Sequence, residues 1–263
     1  MYNFNYQTAS SAEDASAKVS ASDEGKLLAG GMTLLPTMKQ RLAMPSDLID
    51  LSRAQLSGIS IAGDVVSIGA MTTHDTVANS KEVSSSIPAL AKLAGGIGDP
   101  AVRNRGTIGG SIANNDPAAD YPAAILGLGA TIVTNKRAIA GDDFFTGMFD
   151  TALEDNEVVT RVDFQVPETA AYIKFPNPAS RYAIVGVFVA KTASGVRVAV
   201  TGAGSCVFRA REMETSLTAS FSPSALENAS VSADGLNSDI HASAEYRAHL
   251  VGVMARRAVA ACS

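Results

Sequence analysis

Two short stretches of this chain carry residues that could do chemistry by their spacing. The first is "LLAGGMTLLPTMKQRL", Leu27 to Leu42, where an apolar run ends in Gly30-Gly31 and helix-forming residues follow directly. Glycine reaches positive φ freely and lets another group approach the backbone closely. A helix beginning just after it presents free N–H groups that suit an anion. The second stretch, "NRGTIGGSIANNDPAADYP", Asn104 to Pro122, places Gly106, Gly109 and Gly110 within five residues, with Thr107 and Ser111 beside them and Asp120 at the head of an apolar helix. Each stretch can be a backbone cradle for phosphate, with Asp120 as a hydrogen-bonding carboxylate. Each can equally be a tight turn whose glycines only punctuate the chain. Two cradles would grip the two halves of a diphosphate.

Other motifs are weaker. "GAGSCV" at 202–207 starts like a dinucleotide fingerprint, but Val207 stands at its third glycine site and no strand with an acidic end follows. His74 in "MTTHDT" reads as a strand-end residue satisfied by its neighbours. His241 and His249 make no metal pair and no catalytic triad. Cys206 and Cys262 are the only cysteines and fit no iron–sulfur or zinc spacing. Any redox group on this chain is therefore expected to be organic. Lys39 and Arg41 are candidates to face phosphate or a partner, or simply a solvated helix side.

The elements that must position these loops follow from periodicity and turn residues. "SSAEDASAKVSA" opens as an N-capped helix, "KLLAGG" as a buried strand, and "TLLPTMKQRLAMP" as a helix with Thr33 as cap and Leu35, Met38 and Leu42 on one face. "DLIDL" is a strand, and "GISIAGDVVSIGAM" is a hairpin turning at Gly63-Asp64. "SIPALAKLAGG" is a helix with Ile87, Leu90, Ala91 and Ala94 on one side. "ADYPAAILGLGATIVTN" runs from helix to strand, and "EVVTRVDFQVP" is a strand. The proline-bearing "FPNPASR" at 175–181 is read as a boundary. Beyond it come a hairpin turning at Ser194-Gly195 and a final helix with Leu250, Val251, Met254 and Ala258 on one face. The expected architecture is α+β in three parts, 1–55, 56–174 and 175–263.

Composition sets outer limits. The 263 residues are 46% hydrophobic and 18% charged, with a net charge of −5. No basic block suggests nucleic acid. No apolar run suffices for a bilayer span, and the N-terminus lacks a signal-peptide pattern, so the expected location is the cytoplasm.

At the two glycine loops the chain resembles the medium, flavin-carrying subunit of the molybdenum hydroxylases, the xanthine dehydrogenase and aerobic carbon monoxide dehydrogenase family. The resemblance extends to "IGAMTTH", "KFPNPASRYAIVGV" and "VAVTGAG", and so covers essentially the whole chain. It implies a vanillyl-alcohol-oxidase-like (PCMH-type) FAD-binding fold of two α+β subdomains, followed by a C-terminal antiparallel sheet with helices. It implies that Leu27, Leu28, Ala29, Gly30, Gly31, Met32, Thr33 and Leu34 wrap the FAD diphosphate through backbone amides. Thr107, Ile108, Gly109, Gly110 and Ser111 would do so from the second subdomain. Asp120 would hydrogen-bond the cofactor, Ile97 and Val159 would touch the flavin, and Tyr182 would shield one ring face or pack at a domain interface. Lys174 does not align cleanly with the lysine some relatives place near the flavin, and Asn177 stands in its place. The resemblance further implies a large molybdenum-cofactor subunit and a small iron–sulfur subunit as partners, in a dimer of heterotrimers, and an external electron acceptor. Two rivals remain at this stage: a stand-alone flavoenzyme of the same fold, and a scaffold that has lost FAD.

Overall fold

A computed structural model describes residues 1–262. The chain opens with a small βα unit. Strand β1 (Asn5–Thr8) leads into helix α1 (Ala12–Ser20), whose N-cap Ser11 accepts from the Asp14 amide. Strand β2 (Gly25–Leu28), helix α2 (Leu34–Lys39) and strand β3 (Asp47–Asp50) follow. The three strands form a parallel sheet in the order β1-β3-β2. Ala9, Ala12, Ala15, Ile49 and Leu51 fill the space between sheet and α1, and Val158 of the next unit joins them.

Helix α2 is shorter than its periodicity suggests. Thr33 makes no side-chain cap bond, and Arg41 at φ 62 stops the helix, leaving Leu42 76% exposed. Only Met38 of the expected apolar face is buried.

The middle unit is an antiparallel sheet backed by helices. The hairpin of β4 (Ile59–Ala62) and β5 (Val65–Gly69) turns through Gly63 at φ 58. Short helices α3 (His74–Asn79), α4 (Lys81–Ser86), α5 (Pro88–Gly95) and α6 (Pro100–Arg103) come next. They lead to α7 (Ile108–Asn114) and α8 (Tyr121–Leu128). Helix α8 is buried at every position, which explains its uniformly apolar sequence. Strands β6 (Thr131–Thr134) and β7 (Ala138–Ala140) and the one-turn helix α9 (Gly141–Phe144) follow. A small hairpin of β8 (Phe145–Gly147) and β9 (Asp150–Thr151) then precedes β10 (Val159–Gln165). The sheet order is β4-β5-β10-β6-β7.

The third unit is a four-stranded antiparallel sheet, β11 (Thr169–Pro176), β12 (Ala183–Thr192), β13 (Gly195–Thr201) and β14 (Phe208–Arg209). Helix α10 (Arg211–Ala219) and the long α11 (Ala244–Ala261) cover one face. The other face meets α8 through Tyr172, Phe188, Ala190 and Ala199, so the middle and third units share one core. The expected boundary at 174/175 cuts through β11. That strand pairs with β12 from Thr169 onward, because its alternating "TAAYIKF" needs a neighbour before the prolines end it. Among the described residues no helix is long and apolar enough to cross a membrane.

Candidate cofactor site

The two glycine loops meet. An added Cβ on Gly30 would stand 2.1 Å from the Arg105 carbonyl oxygen, and one on Gly110 would stand 3.3 Å from the Ala29 Cβ. Gly109 abuts Ala70 in the same way, at 2.6 Å from its Cβ. Gly30 and Gly109 must be small because backbone packs on them, whereas Gly110 meets the Thr107 hydroxyl and the Ala29 Cβ. Gly31 has a second reason: its φ is 73.

Beside this junction opens a cavity of about 860 Å³. It runs between the first unit, through Val19 and Lys26, and the third unit, through Arg181 and Tyr182. That volume suits a large organic cofactor.

The two loops differ in what they offer. In the second loop the amides from Ile108 to Ser111 are already used. Ile108 N–H donates to Thr72 O, Gly109 N–H to Ala70 O, Gly110 N–H to Thr107 Oγ1 and Ser111 N–H to Thr107 O. Thr107 is thus the N-cap of α7, and its hydroxyl oxygen is engaged by Gly110. Of that loop's amides only Thr107 N–H, on the cavity wall, finds no protein acceptor among the described residues. What the loop presents to the cavity is small surface, at Gly109 and Gly110, and the Ser111 hydroxyl, which has no protein partner among the described residues. Ile108 is fully buried in the core and does not reach the cavity.

The first loop is the reverse. From Ala29 to Leu34, six consecutive backbone N–H groups find no protein acceptor among the described residues. All six residues line the cavity, as does Leu27, whereas Leu28 does not. A run of free amides beside a helix start suits an anion, because the first N–H groups of a helix have no partner within it.

Asp120 lies at the cavity's far wall, 4% exposed. The Tyr172 hydroxyl donates to its Oδ1, and Lys174 Nζ sits 3.0 Å from the carboxylate. Burial pushes its pKa up, and the Lys174 charge and the Tyr172 bond act against that. Lys174 also donates to the carbonyls of Gly96 and Arg181, both at 2.9 Å. This lysine therefore ties the middle and third units together rather than standing free. Asn177 serves its own turn: its Oδ1 accepts from the amides of Ala179 and Ser180. Ile97, Val159 and Tyr182 all line the cavity, and Tyr182 is 46% exposed. Burial and the nearby Asp116 and Asp120 raise its phenol pKa.

His74 departs from expectation. It opens α3 rather than ending a strand, is 5% exposed, and lines the cavity. Its Nδ1 has no partner among the described residues. Burial first, and the Arg103 charge second, lower its pKa to about 4. Nothing in "MTTHDT" foretold this beyond the histidine itself. Sequence reasoning also missed Phe149 and the segment Leu153–Val158, which complete the cavity wall through a hairpin too short to show periodicity. Lys39 and Arg41 lie outside that wall, Arg41 packing over the Tyr2 ring. The "GAGSCV" decoy is a turn after β13 whose Gly202 amide donates to Pro117 O. Among the described residues no group of side chains could hold a metal.

A cavity of this size, walled by two glycine loops and lined by residues with free amides, suits the FAD that the resemblance to PCMH-type flavoproteins leads one to expect. Residues 2–168 match the FAD binding domain in molybdopterin dehydrogenase, and residues 170–262 match the CO dehydrogenase flavoprotein C-terminal domain. The chain is 38% identical to the nicotine 6-hydroxylase medium subunit of Paenarthrobacter nicotinovorans, over 97% of this chain and 95% of that protein. It is 36% identical to the carbon monoxide dehydrogenase medium chain of Hydrogenophaga pseudoflava, over 90% and 88%. Its fold superposes on carbon monoxide dehydrogenase from Hydrogenophaga pseudoflava with a TM-score of 0.91 at 35% identity, covering 99% of this chain and 97% of that one. Quinoline 2-oxidoreductase from Pseudomonas putida 86 gives 0.89 at 28% identity, again covering 99% and 97%. The chain belongs to the FAD-binding flavoprotein subunits of the molybdenum hydroxylases: it is an oxidoreductase subunit, and its cofactor is FAD.

Proposed function

We propose that this chain is the electron exit of a molybdenum hydroxylase. FAD, when bound, supplies the capacity to take up electrons singly and release them in pairs. The chain's own residues bind and orient it. The amides of Ala29 to Leu34 hold the diphosphate, and the Ser111 hydroxyl faces it from the second subdomain. Asp120, fixed by Tyr172 and Lys174, terminates the cavity wall. Ile97, Val159 and Tyr182 bound the flavin end.

Electrons then come from iron–sulfur clusters on a small partner subunit, after substrate oxidation at a molybdenum cofactor on a large one, and leave to an external acceptor. The assembly is a dimer of heterotrimers in the cytoplasm. The relatives' names span nicotine and carbon monoxide, which fits a substrate pocket lying on another chain. The observation that carries this reading is the run of six unpaired amides on a large cavity.

The test is to purify the chain alone and together with its genomic neighbours. The lone chain should hold about one non-covalent FAD and oxidise no substrate. The co-purified assembly should contain molybdenum, iron and FAD and turn over. Substrate oxidation by the lone chain would overturn the proposal.

A further inference from the structure

At the cavity mouth one residue is held in an unfavourable shape. Phe149, at the tip of the β8–β9 hairpin, has a φ of 54 and is 57% exposed. Left-handed backbone is an outlier for a bulky side chain, and such residues persist only where their surroundings over-determine them. Glycine or asparagine would fit that turn without strain.

The surroundings here centre on Asn115. Its carbonyl accepts from the Phe149 amide at 3.2 Å. Its side-chain Nδ2 donates to the carbonyls of Gly147 and Asp150, both at 2.7 Å, and lies 3.7 Å from Cys206 Sγ. Asn115 is 1% exposed and itself left-handed, at φ 43, where asparagine is tolerated. The Thr146 hydroxyl closes the hairpin on Asp150 at 2.6 Å. All this machinery fixes one ring. Phe149 lines the cavity, while its neighbour Met148, 52% exposed, does not. Among the described residues the Phe149 ring pairs with no other aromatic.

We propose that Phe149 is a cofactor-retaining residue whose ring packs on a planar ring of bound FAD, and that Asn115 is its positioning residue. A flat, apolar side chain at the edge of a flavin cavity gains contact only when another flat surface lies on it. This rests on the assignment of the cavity to FAD. Tyr182 lines the same cavity.

The experiment measures FAD release from the full-length chain co-purified with its partner subunits, by flavin fluorescence after dilution. Phe149→Ala should release FAD roughly 10-fold faster, and Phe149→Tyr should stay within about twofold of wild type. Phe149→Gly should relieve the backbone and raise Tm relative to Phe149→Ala, yet release FAD at least as fast. Asn115→Ala should move release in the same direction as Phe149→Ala. ADP as competitor then tells which ring is covered: weaker ADP binding in Phe149→Ala marks the adenine, unchanged ADP binding the isoalloxazine. Wild-type release from a normally stable Phe149→Ala would overturn the proposal. So would a variant that keeps FAD but sheds its partner subunits, which would make Phe149 an interface residue. Failure of the wild-type protein to bind FAD at all is a separate result and would strike the cavity assignment instead.

Discussion

Replacing Gly30 with alanine tests whether the two glycine loops act as one unit. The added methyl would lie 2.1 Å from the Arg105 carbonyl oxygen and 2.8 Å from the Gly106 Cα. Both obstacles are backbone, so no side chain can swing aside. The loops must part by about an ångström. Overpacking of this kind costs roughly 1–3 kcal/mol, and backbone obstruction puts Gly30→Ala at the upper end. For a chain of this size, each kcal/mol lowers Tm by roughly 2–4 °C, so a fall of about 5–10 °C is expected. FAD should suffer as well, because the free amides start one residue before Gly30 and move with it. A tenfold loss of affinity corresponds to about 1.4 kcal/mol, well within reach of a shifted cradle. The assay is thermal unfolding with and without added FAD, alongside flavin absorbance after gel filtration. The stabilisation that FAD gives the wild type should shrink in the variant. A Gly30→Ala protein with wild-type Tm and full flavin content would show that the loops do not touch as described.

Gly110→Val, whose Cβ would press on Thr107 Oγ1 at 3.0 Å and Ala29 Cβ at 3.3 Å, should wedge the same junction open and strip flavin on gel filtration. Asp120→Ala leaves Lys174 and Tyr172 without their shared carboxylate, so it should lower stability by roughly 3–5 kcal/mol as well as weaken FAD, read by denaturant melts and flavin titration. His74 contributes a pH dependence: its folded pKa of about 4 lies below the unfolded value of about 6.5, so the unfolded chain binds the extra proton. Stability from this group is therefore full above pH ~6.5 and is lost as pH falls toward 4, by up to roughly 3 kcal/mol. His74→Phe should flatten that part of the stability–pH curve, and an unchanged slope would refute the assignment.

The sequence shows where the site is more clearly than how it works. The strands "DLIDL" and "YAIVGVFVA" are legible as short, mostly apolar runs that are largely buried, and the helix Pro88–Gly95 because burial follows its spacing. Helix α2 was overextended because Leu42 keeps the spacing after Arg41 has already broken the backbone. Spacing reports side chains, and a left-handed residue that is not glycine leaves no mark on it.

The glycine loops carry a subtler lesson. Both loops line one cavity, yet only the stretch from Ala29 to Leu34 keeps a run of amides free. In the loop from Thr107 to Ser111 the cap and the Ala70 and Thr72 carbonyls take the amides of Ile108 to Ser111, and among the described residues only the Thr107 amide of that loop finds no protein acceptor. Glycine marks close approach, and from sequence alone the approaching group can be a phosphate or another stretch of the same chain. Here Gly30 and Gly109 are required by the protein's own backbone, and Gly110 sits against the Thr107 hydroxyl and the Ala29 Cβ. The tight-turn reading of the glycines holds, and the same junction carries the stretch whose six free amides belong to residues lining the cavity. Substitutions at Gly30 should therefore damage fold and flavin in proportion, whereas a change confined to the cavity face, such as Ser111→Ala, should lower FAD affinity and leave Tm of the flavin-free chain unmoved.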